Sequence, residues 1–135
     1  MTGPAIVAFK SFELIGQMNL MHPKLVALVQ WMAINIWPKY GQKFLVVSTG
    51  WYDGGSGVHE AYRAMDVSAR DWKSGELVGW EIATAIEREI NDAWDHGSGG
   101  KYGVCLYHAA AWKPRGEWHF HLQVRDATAL RMIEV

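Results

Sequence analysis

The sequence of residues 117–124 is EWHFHLQV, and it is the stretch that most constrains the fold of this 135-residue chain. Side chains of a strand alternate between its two faces, about 6.7 Å apart along each face. One face is apolar and is predicted to point into the core: Trp118, Phe120 and Leu122. The other face is polar and is predicted to point into a cleft or solvent: Glu117, His119 and His121.

The chain on either side of this stretch predicts alternating strands and helices. Strands are predicted at 43–48, 64–68, 102–109 and 117–124. A mostly buried helix is predicted over 22–37, and a second helix over 74–95 with Ser74 as its N-cap. The second helix is expected to bury one face, made of Leu77, Trp80, Ala83, Ile86, Ile90 and Trp94. The order of elements predicts an α+β domain, with a largely antiparallel sheet covered by helices, that fills residues 1–135.

Composition excludes several classes of function. The 13 Lys and Arg residues balance 14 Asp and Glu residues, so no broad positive surface is available to attract nucleic acid. Cys105 is the single cysteine and lies in an apolar run, where a buried thiol is expected. No segment approaches the roughly 20 apolar residues of a membrane span, and the N-terminus lacks a basic start and a cleavage site. Synthesis in the cytoplasm is therefore expected.

Two histidines and a glutamate on one strand face favour metal binding or proton transfer over simple packing. One strand supplies too few ligands, because a zinc site needs three protein side chains. His59 and Asp66 are the candidates for the rest, although both residue types are also common in turns. In a helix they would stand about 10.5 Å apart along the axis, whereas a loop that doubles back into the strand at 64–68 lets them meet.

These residues resemble a known family. The segment HEAYRAMDV contains His59-x6-Asp66, and about fifty residues later His119-Phe120-His121 stands in a terminal strand. This order is similar to that of the zinc D-alanyl-D-alanine carboxypeptidase family, which includes D,D-dipeptidases, phage L-alanyl-D-glutamate endolysins and the signalling domain of hedgehog proteins. The resemblance covers residues 43–124 and implies a small hedgehog/D,D-peptidase-like fold.

The resemblance also implies roles for individual residues. Zinc would be held by His59, Asp66 and His121, with water in the fourth position. His119 would lie beside the metal and hydrogen-bond an oxyanion or move a proton. Arg63 matches an arginine that is frequent in the family and is a candidate substrate contact, and a residue that forms a surface salt bridge or holds the loop is an equally good interpretation of it.

A carboxylate near the bound water would take its proton and pass it to the leaving amine. Glu117 is the predicted base, because it shares a strand face with the two histidines. His108, at the end of the preceding predicted strand, is the substitute candidate, and an edge-of-core histidine is its structural interpretation.

The segment after the first of these strands bears on the substrate. Carboxypeptidases of the family carry an arginine there that grips a free carboxylate, whereas residues 48–53 here read STGWYD. An endopeptidase that cuts within a cell-wall peptide fits better than a strict carboxypeptidase. Trp51 and Tyr52 are predicted to line the substrate groove.

The resemblance thus implies a zinc metallopeptidase that hydrolyses peptide bonds of bacterial peptidoglycan, and a monomer is expected. A lysis-type enzyme of a phage, released to the cell wall or periplasm through a hole made by a partner, would fit the small size. The alternative is a zinc-binding structural or interaction module of the same fold without catalysis. A plain globular protein with incidental histidines is a third, weaker hypothesis.

Overall fold

The computed structural model describes residues 3–51, 57–59, 61–109 and 117–131. The strands in these ranges are β1 (Ile6–Phe9), β2 (Phe44–Thr49), β3 (Ala64–Ser68), β4 (Trp94–Asp95), β5 (Cys105–His108), β6 (His119–Gln123) and β7 (Ala129–Leu130). The α-helices are α1 (Phe12–Gln17), α2 (Pro23–Asn35) and α3 (Trp80–Ala93), and short 3-10 helices lie at Met18–Leu20 and Pro38–Tyr40.

The main sheet has five strands in the order β1-β2-β3-β6-β5. Its pairs are antiparallel except for β1 and β2, which run parallel. This confirms the predicted α+β class with a mostly antiparallel sheet. The sequence does not predict β1, a short edge strand, or the separate pairing of β4 with β7.

Helix α2 begins where the sequence predicts. His22 is its N-cap and accepts a hydrogen bond from the Lys24 backbone N–H, and Pro23 occupies the first turn, where its missing N–H costs nothing. The helix ends at Asn35, two residues earlier than predicted. One face is fully buried, whereas Ile34 is 58% exposed.

The predicted start of α3 is wrong. The helix begins at Trp80 with Gly79 as its N-cap, and Ser74 lies in a turn instead. The carboxylate of Asp71 accepts hydrogen bonds from the Lys73 and Ser74 backbone N–H groups. These local bonds offer the backbone an alternative to the helix, and Gly75 has a φ of 74° that no helix contains.

The late start of α3 also changes its buried face. Leu77 and Trp80 were predicted to be buried, but they are 39% and 62% exposed. The remaining members of the predicted face are buried as expected: Ala83, Ile86, Ile90 and Trp94. No helix of the described ranges has both the length and the apolar content needed to cross a bilayer.

Strand β3 has the predicted bounds, and β6 shows the predicted alternation. Phe120 and Leu122 are fully buried, and burial raises the pKa of the neighbouring Cys105 thiol. Trp118 is an exception, because it precedes β6 and is 38% exposed, with its ring against Trp80 and Tyr107. The prediction that it faces the core is therefore only partly correct.

A β-bulge interrupts the regular pairing of β2 with β3. Val47 lies opposite Val67, but Thr49 lies opposite Asp66, so β2 contains one extra residue at this point. A bulge of this kind bends its strand and increases the local twist. The chain that leaves β2 at Gly50 is thereby directed toward the turn that precedes β3, where His59 lies.

Candidate metal centre

Three segments of the chain bring His59, Asp66 and His121 together. Asp66 on β3 is paired directly with His121 on β6, so their side chains share one face of the sheet. His59 precedes β3 in a turn, where the Tyr62 N–H donates to the His59 carbonyl and the Arg63 N–H donates to the Val58 carbonyl. His59 and Asp66 therefore meet through a turn before β3 and do not lie along one helix.

The distances within this group suit a small metal ion. Atom Oδ1 of Asp66 lies 3.1 Å from Nδ1 of His121 and 3.5 Å from Nε2 of His59. Bonds of about 2.1 Å to a tetrahedral zinc ion place neighbouring ligand atoms about 3.4 Å apart. One ligand atom from each of the three residues lies within 4.8 Å of the other two, so this group could hold a metal ion.

His119 lies beside the group. Its Nε2 is also 3.5 Å from Asp66 Oδ1. His119 precedes His121 by two residues on β6, so the two side chains lie on the same face of the strand. Three imidazole rings therefore approach the same carboxylate oxygen. This placement agrees with the predicted position of His119 next to the metal ligands, while its catalytic role stays a prediction.

The second nitrogen of each of these rings faces an oxygen. His59 Nδ1 lies 2.7 Å from the Gly50 carbonyl, and His119 Nδ1 lies 2.9 Å from the Glu117 carbonyl. His121 Nε2 lies 3.2 Å from Oε1 of Gln123. These oxygens accept hydrogen bonds, so each of the three nitrogens carries a proton and donates it.

The protonation pattern tests whether a metal fits. In each ring, the outer nitrogen is the one that donates to an oxygen away from Asp66, and the inner nitrogen is the one that faces Asp66. When the outer nitrogen holds the proton of a neutral ring, the inner nitrogen presents a lone pair toward Asp66. Without a metal, each inner nitrogen that took up a proton to donate to Asp66 would make its ring an imidazolium ion, and these like charges would lie side by side around one carboxylate. A divalent cation would balance the carboxylate and accept the lone pairs, so the donor set fits a metal.

Asp66 supplies the negative charge of the site. Burial acts to raise the pKa of Asp66. In the metal-free protein, where His121 and His59 can donate hydrogen bonds to this carboxylate, those bonds and the charge of His119 outweigh burial and hold the pKa well below its usual range. The side chain is therefore ionised and offers a carboxylate ligand.

His108 is brought to the same face. It lies opposite His119 in the pairing of β5 with β6, and its ring centroid is 4.8 Å from that of His119 and 5.8 Å from that of His121. Its Nε2 is buried and has no hydrogen-bond partner in the described part of the chain. Burial, with the charges of His119 and His121, holds the pKa of His108 below its usual range.

Glu117, the predicted base, is engaged elsewhere. It lies two residues before β6, and its carboxylate accepts hydrogen bonds from the guanidinium of Arg70, one of them 2.8 Å from Nε. Arg70 follows β3, and the antiparallel register sets these two positions opposite one another. Both side chains are about half exposed. The role of Glu117 stays a prediction.

The structure describes two of the predicted substrate contacts, Trp51 and Arg63. Trp51 is 41% exposed and stacks on Tyr62, with their ring centroids 6.3 Å apart, close to the turn that carries His59. The pKa of Asp126 is lowered mainly by a hydrogen bond from His22, and that of His96 mainly by burial; the positive charge of Arg63 adds to both shifts. Tyr52 lies outside the described residues.

Sequence reasoning missed the groups that orient the ligands. Gln123 follows His121 by two residues, so strand alternation alone places it on the same face, and this signal was available. The Gly50 carbonyl gave no signal, because its contact with His59 depends on the bulge and on the turn in which His59 lies. Comparison with known proteins finds no match for this chain among family models, curated proteins or solved structures.

Proposed function

We propose that this protein is a zinc-dependent peptidase that hydrolyses peptide bonds of bacterial peptidoglycan. The observation that carries the proposal is the convergence of His59, Asp66 and His121. The inner ring nitrogens of the two histidines face one oxygen of the Asp66 carboxylate. The order of the motifs along the chain, which resembles that of the zinc D,D-carboxypeptidase family, supports the choice of reaction and of substrate.

The ligand set is one that zinc accepts. Two imidazoles and one carboxylate are a common set in catalytic zinc sites, and they leave a coordination position for water. Zinc in such a site lowers the pKa of its bound water to about 7 and polarises a carbonyl group. Residues of this chain would then have to move protons and hold the substrate.

His119 and His108 are the groups placed to assist. His119 approaches Asp66 from the side of β6, and a protonated His119 would hydrogen-bond the oxygen that becomes negative as the peptide carbonyl is attacked. His108 presents a buried, unpartnered nitrogen next to His119. Glu117 would serve as base only after releasing Arg70, so His108 is the better supported of the two candidates.

The surroundings of the site support an endopeptidase. The residues from the end of β2 to Trp51 contain no arginine to grip a free C-terminal carboxylate. The stacked rings of Trp51 and Tyr62 instead form an aromatic wall next to the turn of His59. Such a wall suits an extended peptide that continues past the cleaved bond.

The test combines metal analysis with digestion of purified cell walls. Wild type should contain one zinc per chain and release peptides from the walls, and His121→Ala should do neither. His22→Asn is the matched control, since it removes another histidine while keeping an N-cap residue for α2. Peptide release by metal-free His121→Ala at the wild-type rate would refute the proposal.

The ion pair between Glu117 and Arg70 favours a second candidate, a zinc-binding module without catalysis. In that case the carboxylate serves structure and no base is needed. Stoichiometric zinc in a protein that digests no wall preparation would support this alternative. Loss of wall digestion in His108→Gln, with zinc retained, would support the peptidase.

A further inference from the structure

We propose that Gln17 and Gln123 are positioning residues that select which ring nitrogen of each histidine ligand faces the metal. The inference rests on the proposed metal site. It assigns coordination through Nε2 to His59 and through Nδ1 to His121, so that the two histidines bind the ion in opposite orientations.

Gln123 acts on His121 directly. Its side-chain Nε2 donates to the Gly103 carbonyl at 3.1 Å, which turns the amide oxygen toward His121. That oxygen lies 3.2 Å from His121 Nε2 and accepts its proton. A histidine whose Nε2 carries the proton has its lone pair on Nδ1, the atom that is 3.1 Å from Asp66.

Gln17 acts on His59 through one peptide group. The carbonyl of Gly50 accepts from His59 Nδ1 at 2.7 Å, and the N–H of Trp51, on the other side of the same peptide unit, donates to Oε1 of Gln17 at 2.9 Å. Bonds in such a chain polarise one another and strengthen it. The proton is thereby kept on Nδ1 of His59, and Nε2 is left for the metal.

The space around this peptide is filled by Gln17. A methyl group added at Gly50 would stand 2.3 Å from Oε1 of Gln17 and 3.0 Å from the terminal methyl of Met21. The glutamine amide thus fits against Gly50 closely. A side chain at this position would therefore have to displace the Gln17 amide, so the absence of one at Gly50 allows the link between α1 and His59.

The first experiment measures zinc affinity by competition with a chromophoric chelator. Gln123→Leu should weaken zinc binding about 10- to 100-fold, the usual effect of removing a partner of a metal-bound histidine. Gln17→Leu should weaken it about tenfold, because it acts through the backbone. Gln123→Glu keeps an acceptor for His121 and should recover most of the loss.

Gln30→Leu is the matched control, since Gln30 lies exposed on α2. It should bind zinc as wild type does. Circular dichroism of each variant would establish that it is folded. Equal zinc affinities for folded Gln123→Leu, Gln17→Leu and Gln30→Leu would overturn the inference.

The second experiment needs no variant. Long-range ¹H–¹⁵N spectra of the zinc-loaded protein distinguish a protonated ring nitrogen from a coordinated one. We expect protons on Nδ1 of His59 and on Nε2 of His121. Coordination of both rings through Nε2 would overturn the inference while leaving the zinc site intact, whereas a wild-type protein that binds no zinc would refute the proposed function itself.

Discussion

The two faces of β6 are formed by alternating residues of one strand, yet one face packs in the core and the other contributes to the candidate metal site. Phe120 and Leu122 are fully buried in the apolar core, with Phe120 packed against Trp37 and Tyr107. His119 and His121, on the other face, are held by hydrogen bonds to oxygens and converge on Asp66. The core face fixes where the strand lies, and the polar face can therefore carry groups that add little packing of their own.

The largest effect is expected on the core face. Leu122→Ala should lower the free energy of unfolding by about 2–5 kcal/mol, because it removes buried methyl groups and leaves a cavity. Urea denaturation followed by circular dichroism would measure the change. Leu106→Ala is the matched control, since Leu106 lies opposite His121 on the polar side and is 48% exposed. Equal losses for both variants would remove the distinction between the faces.

The next effect separates packing from metal binding. Zinc at 100 times its dissociation constant should stabilise the wild-type protein by about 2.7 kcal/mol, because the ion binds the folded chain alone. Thermal unfolding with zinc or with a chelator would show the shift. In His121→Ala the shift should vanish while stability without metal changes little. Stabilisation of His121→Ala by zinc equal to that of wild type would show that the ligands lie elsewhere.

A smaller effect is expected at Gly50. Gly50→Ala should weaken zinc binding about tenfold, since the new methyl group would displace the Gln17 amide from the Trp51 N–H. In a Gln17→Ala background the same substitution should cost much less, because the displaced atom is already absent. Chelator competition on all four proteins completes a double-mutant cycle. Additive losses would mean that the two residues act independently.

The smallest effect is expected at the rim of the polar face. Arg70→Ala breaks the ion pair with Glu117, and the free energy of unfolding should change by less than about 1 kcal/mol because both partners are about half exposed. Urea denaturation checks this value. A loss of several kcal/mol would show that the rim, like the core face, fixes the strand.

The sequence predicted the parts of the fold that depend on local pattern. The bounds of β3 and the alternation of Phe120 and Leu122 on β6 follow from periodicity and agree with the structure. The start of α3 did not follow, because the side chain of Asp71 competes for backbone N–H groups that a helix would otherwise use.

The site divides in the same way. His59, Asp66 and His121 could be named from spacing and resemblance, and the structure brings them together. The partner of Glu117 could not be named, since Arg70 faces it only once β3 and β6 are known to be neighbours in this register. The hydrogen bond between His59 and the Gly50 carbonyl also depends on tertiary structure, namely on the bulge in β2 and on the turn in which His59 lies.

The bulge between β2 and β3 fixes the position of the peptide bond between Gly50 and Trp51. Strand ends commonly tolerate the loss or gain of a residue, because the loop beyond them absorbs the change. Here the extra residue of β2 sets the path of the chain to Gly50, whose carbonyl orients His59. Deletion of Ser48 would remove the bulge and restore regular pairing between β2 and β3, but it would also move the Gly50 carbonyl away from His59. This strand end should therefore be among the places in the chain that least tolerate a change in length.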